Sequence, residues 1–195
     1  MSTNRKVRWV AVGVGLVVVV LGVVLALNVS GSDPNVTEGR FTGQDVVAPG
    51  FALVSNNDTA PAFTLETLDG GQLALSDLAG KTVVVNFWNT WCAPCIQEAP
   101  ALREFYELHK DEPDFAMVGI VRDDDKDKVR AYVDAEDVGW TIAFDPKSKA
   151  ALAYGTTGQP ETFVIGPDGR VAGEQFSAVT VDNLELMLRA ARGTL

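Results

Sequence analysis

The chain reads as an α/β domain with a mixed sheet, carried behind a single apolar N-terminal helix, and three observations lead there. Apolar runs of strand length alternate with segments of helical periodicity, the pattern of strands and helices packed in layers. Turn clusters rich in Gly, Asp and Pro join two pairs of adjacent strands, so part of the sheet is antiparallel. An uncharged run from Val10 to Leu27, dominated by Val, Leu and Gly, stands apart near the start of the chain.

That run comes first. As a helix it is about 27 Å long, close to the roughly 30 Å hydrocarbon core of a bilayer. Arg5, Lys6 and Arg8 precede it and no charge immediately follows. This places residues 1–9 in the cytoplasm, predicts a transmembrane anchor over 10–27, and puts the rest of the chain outside. A cleaved signal peptide is the rival. The run is longer than a usual signal core, and Leu25-Ala26-Leu27-Asn28-Val29-Ser30 makes a poor cleavage site. No cysteine follows that could carry a lipid. Residues 28–56, rich in Gly, Ser, Asn, Asp, Pro and Thr, read as a tether. Within it Phe51-Ala52-Leu53-Val54 is an apolar stretch that the sequence leaves unassigned between tether and domain. Residues 57–195 then form one domain with enough apolar content for its own core.

Inside the domain, Ala62-Phe63-Thr64-Leu65 and Gln72-Leu73-Ala74-Leu75 flank Leu68-Asp69-Gly70-Gly71 as a hairpin, and Ser76 caps a short helical turn ending near Gly80. Thr82 to Trp88 reads as a buried strand. A helix from Ala93 to about His109 carries Ile96, Ala99, Leu102, Phe105 and Leu108 at helical spacing. Phe115 to Val121 is the next apolar strand, followed by an amphipathic helix from about Lys126 to Asp137. A strand at Trp140–Phe144 and a helix around Lys147–Tyr154 lead to a closing unit. There Thr162–Ile165 and Arg170–Gln175 pair across Gly166-Pro167-Asp168-Gly169, and a helix runs from about Val181 to Ala191.

Charge limits the partners. All 26 acidic residues follow the apolar run, whereas three of the 16 basic ones precede it. The outer portion is therefore strongly acidic, which disfavours nucleic acid and anionic lipid and favours solubility or a basic partner. A solvated acidic face explains the same balance, and the charge run Arg122 to Arg130 reads as a surface loop opening a helix.

The chemistry lies in Trp91-Cys92-Ala93-Pro94-Cys95. Cys92 and Cys95 are the only cysteines, and their spacing puts both sulfurs on one face of a helical first turn. A strand, a short turn, the pair and a helix are the context that makes C-x-x-C a redox motif. Unpaired N–H groups and a partial positive charge at the helix start favour a thiolate, so Cys92 is expected below the reference thiol pKa of about 8.5 and is the expected nucleophile. Cys95, one turn in, is placed to resolve the mixed disulfide. Pro94 restricts the backbone and has no N–H to leave unpaired. A permanent staple fits poorly, because so small a ring removes little unfolded-state entropy. Zinc fits worse: there is no second cysteine pair, and His109 is the only histidine. No metal or separate cofactor is expected beyond the redox-active Cys92–Cys95 disulfide.

Asn86-Phe87-Trp88-Asn89-Thr90-Trp91-Cys92-Ala93-Pro94-Cys95, with Pro100 five residues after the second cysteine, resembles the active site of the thioredoxin superfamily. The preceding hairpin, the long segment between the motif helix and the closing strands, and Gly158-Gln159-Pro160-Glu161-Thr162-Phe163-Val164-Ile165 narrow the match. They resemble the membrane-anchored, extracytoplasmic TlpA, ResA and CcmG (DsbE) thiol-disulfide oxidoreductases. The resemblance implies a thioredoxin-like fold with an N-terminal hairpin and a central insert. It implies reduction of disulfides in exported proteins, commonly the haem-binding cysteines of apocytochrome c, with electrons from a membrane thiol carrier of the CcdA or DsbD type. It makes Pro160 a cis-proline facing the disulfide, with Gln159 beside it, and Trp91 an exposed wall next to Cys92. A cis-proline turn can offer backbone hydrogen bonds to an incoming peptide strand. Pro100 is expected to kink the motif helix.

Two positions depart from the pattern. Cytoplasmic thioredoxins carry a buried aspartate where this chain has Asn86, and Ala93 supplies no acid between the cysteines. The remaining acidic candidate is Glu161, whose carboxylate could raise the thiol pKa values and shuttle a proton; its plain alternative is a strand-start residue. Competing functions share the fold. A disulfide-forming oxidase uses the same residues and differs in potential and membrane partner. A thiol peroxidase expects a Pro-x-x-x-Thr context that Asn86 to Cys92 lacks. A copper chaperone expects wider cysteine spacing and a downstream histidine, whereas His109 lies on the motif helix.

Overall fold

Strand β5 (Thr82–Trp88) is the spine of the molecule, with all seven residues buried. Its β-branched run suits a strand covered on both faces. It pairs in parallel with β6 (Phe115–Val121) and antiparallel with β8 (Glu161–Ile165). This computed structural model describes residues 44–48, 50–54 and 58–195 of the 195-residue chain. Over those residues one mixed sheet of nine strands runs β1-β2-β9-β8-β5-β6-β7-β3-β4. Here β1 is Gln44–Ala48, β2 Phe51–Val54, β3 Thr64–Thr67, β4 Gln72–Ala74, β7 Thr141–Phe144 and β9 Val171–Gln175. Only β5–β6 and β6–β7 are parallel; every other pairing is antiparallel.

The two-residue period of the strands sorts side chains to opposite faces. Val83, Val85 and Phe87 of β5 join Phe163, Ile165 and Tyr154 in one core, capped by the short helix α3 (Lys149–Ala153). Val84 faces the other way, into a core with Leu102 and Phe105 of α1 (Ala93–His109) and with Leu184, Met187 and Leu188 of α4 (Val181–Ala191). Trp88 shares that second face with Cys92, Cys95 and Val129 of α2 (Lys126–Ala135). Asn86, between Val84 and Trp88 in the alternation, therefore points under α1.

The structure corrects several expectations. Residues 44–48 and 51–54 are strands, so the tether expected over 28–56 gives way to the domain well before residue 57. Strand β2 pairs with β9, and Phe51 is buried against Val84 and Val164. Ser76 does not cap the helical turn. A 3-10 turn spans Leu75–Leu78, and Asp77 Oδ2 accepts from Ala74 N at 2.8 Å. The first hairpin strand is Thr64–Thr67, two residues later than the Ala62–Leu65 expected, because Glu66 and Thr67 are drawn into pairing with β7. Ile96 and Leu108 are 48% and 60% exposed; the buried face of α1 is Cys95, Glu98, Ala99, Leu102 and Phe105. Pro100 sits within α1 on its exposed side. Among the described residues no helix is long and apolar enough to cross a membrane. The expected cytoplasmic segment 1–9 and anchor 10–27 lie outside them.

Candidate active site

The cysteine pair sits where β5 gives way to α1. Cys92 is the helix N-cap, with extended backbone, and its sulfur accepts from Cys95 N at 3.3 Å. Pro94 occupies the first turn, where its missing N–H leaves nothing unsatisfied. Cys92 and Cys95 are joined as a disulfide with Cα atoms 5.2 Å apart. Cys92 is 5% exposed and Cys95 3%, so the pair is reached edge-on rather than presented on a knob. A cavity of about 20 Å³ lies behind Cys95, bounded by Asn86, Trp88, Leu102 and Tyr132. It has room for about one water molecule and none for a substrate side chain.

The loop before the pair is clamped to the loop after β6. Asn89 Nδ2 and Trp91 Nε1 both donate to the Asp123 carbonyl, at 2.8 and 3.0 Å. Asp124 Oδ2 accepts from Thr90 N at 2.7 Å and from Thr90 Oγ1 at 2.8 Å. With its indole nitrogen tied down, Trp91 still leaves 62% of its surface exposed beside Cys92. On the other flank the Gln159–Pro160 peptide bond is cis, and the Gln159 carbonyl oxygen lies 3.6 Å from Cys92 Sγ.

Two buried carboxylates shape the surroundings, in different ways. Glu161 Oε1 accepts from Thr157 N at 3.0 Å, Gly158 N at 3.1 Å and Thr157 Oγ1 at 3.3 Å. It anchors the loop that carries Gln159 and Pro160. Glu98, three residues past Cys95 on the same inward face of α1, is 1% exposed. Its Oε1 accepts from Asn86 Nδ2 at 2.9 Å, and its Oε2 accepts from Val179 N at 2.9 Å. The second Asn86 amide hydrogen goes to Thr162 Oγ1 at 3.0 Å. Burial pushes the Glu98 carboxyl up from 4.5 to about 7, against the opposing pull of its two hydrogen bonds. A carboxyl that titrates near neutrality thus sits one helical turn behind the inner cysteine.

The AhpC/TSA family profile matches residues 57–173. The chain is 33% identical over 152 residues to the thiol-disulfide oxidoreductase ResA of Bacillus thuringiensis subsp. konkukian, covering 78% of this chain and 83% of that one. The chain belongs to the AhpC/TSA family. Within it, this is a thiol-disulfide oxidoreductase of the TlpA/ResA/CcmG type. A secreted Mycobacterium tuberculosis disulfide oxidoreductase, homologous to E. coli DsbE, superposes with a TM-score of 0.59 at 27% identity, covering 66% of this chain and 95% of that one. A secreted thiol-disulfide isomerase from Corynebacterium glutamicum shares the fold at a TM-score of 0.69 and 24% identity, over 80% of this chain and 99% of that one.

Against this oxidoreductase frame, the expected residues divide. Cys92, Cys95, Trp91, Pro94, Gln159 and Pro160 converge on one surface. Asn86 lies beneath them as a hydrogen-bond donor, and Glu161 holds a loop rather than facing the sulfurs as a free charge. Glu98 and the Asp123–Asp124 clamp are the residues that sequence reasoning missed. The carboxyl lacking at position 86 is supplied across the interface by Glu98. His109 ends α1 with Nδ1 2.8 Å from Glu112 Oε1 in the following turn and Nε2 2.7 Å from Glu185 Oε1 on α4, so both ring nitrogens are engaged and the second ties α1 to α4. Among the described residues no group of three or more His, Cys, Asp or Glu is placed to hold a metal ion.

Proposed function

We propose that the chain is a membrane-anchored, extracytoplasmic reductase of disulfides in exported proteins, the haem-binding cysteines of apocytochrome c among them. Residues 10–27 hold it in the cell membrane as a single span with the N-terminus cytoplasmic. In the reduced enzyme the Cys92 thiolate attacks a substrate disulfide; one substrate sulfur leaves with a proton, and the other remains bonded to Cys92. The Cys95 thiolate then attacks Cys92 Sγ, the second substrate thiol departs with a proton, and the enzyme disulfide closes. A membrane thiol carrier of the CcdA or DsbD type returns the two electrons. Trp91, Gln159 and Pro160 receive the substrate strand, and Glu98 takes the proton from Cys95 as it becomes a nucleophile.

The observation that carries the direction is the Glu98 carboxyl behind Cys95. When ionised it disfavours a nearby thiolate, and a couple whose reduced form gains little from thiolate stabilisation is a reductant. The test is equilibration of the Cys92–Cys95 couple with glutathione or dithiothreitol. A potential below about −230 mV is expected; a value near that of the strong oxidant DsbA, about −120 mV, would make the protein a disulfide-forming oxidase instead. The roles of the two sulfurs are read separately. Cys95→Ser should trap substrates as mixed disulfides through Cys92, and adducts recovered with Cys92→Ser would reverse them.

A further inference from the structure

A cavity of about 490 Å³ lies beside the exchange site rather than in it. It opens just past the ends of β6 and β7, at Arg122 and Asp145. These strands run parallel to β5, so the cavity shares a sheet edge with Cys92. The carboxyl ends of parallel strands are where open α/β sheets gather ligands. Asp124 belongs to both places: it lines the cavity and holds Thr90, two residues before Cys92. Two residues span about 7 Å, so the rim is within roughly 10 Å of the reacting sulfur.

The lining is basic on a domain that is acidic as a whole. Arg122, Lys126, Lys147 and Lys149 stand against Glu66, Asp124 and Asp145. All three carboxylates are committed internally. Glu66 pairs with Lys126 at 2.6 Å, Asp124 holds Thr90, and Asp145 accepts from the backbone of Lys149 and Ala151 at 2.9 Å each. Lys126 is taken up by Glu66, and the other three cations have no carboxylate partner among the described residues. Lys147 and Lys149 have no ion pair among the described residues, and the half-buried Arg122 makes one bond, from Nε to Ser148 Oγ at 3.4 Å. Its terminal fork is left for a planar acceptor such as a carboxylate. Phe63, Leu65 and Phe144 add apolar lining.

We propose that this cavity is a second contact site for the polypeptide substrate, taking an aspartate or glutamate side chain three to six residues from the cysteine that meets Cys92. The proposal rests on the thiol-disulfide exchange reading above. An extended strand covers about 10 Å in three residues, so a substrate seated on Trp91 and Pro160 delivers its next acidic residue to Arg122, Lys147 and Lys149. The apolar lining covers the methylenes of that side chain, and the fork and ammonium groups meet its carboxylate. The site therefore selects among disulfides by what flanks them.

Two disulfide-linked model peptides, identical except for Glu or Gln four and five residues from the reactive cysteine, test this on the reduced full chain in detergent. The measurement is the second-order rate of protein oxidation at low ionic strength. The Glu peptide should react about five-fold faster, the range of one or two exposed ion pairs, and the advantage should shrink with added salt. Lys147→Gln with Lys149→Gln, or Arg122→Gln alone, should bring the Glu/Gln ratio below two, with Arg122→Lys in between because it keeps the charge and loses the fork. A ratio of one in the native protein, or one unchanged in these variants, overturns the proposal and leaves the redox reading standing. An equal fall in Lys110→Gln, at the far end of α1, overturns it in favour of a general field effect. If neither peptide oxidises the protein, the exchange reading fails and this site with it.

Discussion

Replacing Glu98 with Gln isolates the carboxyl behind Cys95, and its effect on stability follows from the site. The group titrates at 4.5 in the unfolded chain and at about 7 in the fold. A folded pKa above the unfolded one means that the native state binds the proton more tightly. Stability is then fully present below about pH 4.5 and is lost as pH rises to about 7. The shift of roughly 2.5 units corresponds to about 3 kcal/mol. Glutamine keeps the shape but turns one acceptor into a donor facing Asn86 Nδ2 or Val179 N, a pH-independent cost of about 1–2 kcal/mol. Glu98→Gln should therefore be the less stable protein at pH 4.5 and the more stable one at pH 8. Urea unfolding of both oxidised proteins across that range reads the difference, in which the other carboxylates cancel. The slope between pH 4.5 and 7 is the decisive feature. A difference constant to within about 0.5 kcal/mol would mean that Glu98 does not titrate near neutrality, and its proposed part in catalysis would go with it. If the swing is present, the rate of mixed-disulfide resolution at pH 7 decides the rest. General acid–base groups are commonly worth 10²-fold or more, and a loss under about three-fold would leave Glu98 a structural acid only.

Glu161 calls for a different comparison. Glu161→Ala strips the acceptor from Thr157 N and Gly158 N, and should cost about 1–3 kcal/mol of stability and raise KM for a peptide disulfide. Glu161→Gln keeps an acceptor oxygen for these donors and should cost less than Glu161→Ala; a shifted potential in that variant would restore a direct electrostatic role. The proposed anchor is read by fractionation and intact mass: the full chain should be recovered from membranes, and a mature N-terminus between Ala26 and Asp33 would make the enzyme secreted.

Much of the site was legible because its determinants are local. Strand β5, the cysteine pair and the start of α1 are contiguous, and Thr82–Trp88 and Ala93–His109 were read with the bounds they have. The tether was read too long because Gly, Asn and Pro around residues 44–58 hide two short strands whose reason to exist, the open edge of β9, lies more than a hundred residues away. The missed carboxyl has a similar cause with a larger consequence. Ile96 and Leu108 are apolar, so the buried stripe of α1 was drawn through them, and that phase leaves Glu98 on the wet side. The real stripe passes through Cys95, Glu98, Ala99, Leu102 and Phe105. It buries a carboxylate and exposes an isoleucine beside the reactive cysteine, which hydrophobicity alone would reverse. What sets the phase is non-local: Asn86 on β5 and Val179 before α4 supply the two donors that make burial of Glu98 tolerable. One signal was in reach. A helix that buries Cys95 and Leu102 must also bury what lies three residues after the one and four before the other, and that residue is Glu98. An acid forced onto the inner face of a redox helix is costly for stability. In the proposed mechanism that cost places a proton acceptor one helical turn behind the cysteine it follows.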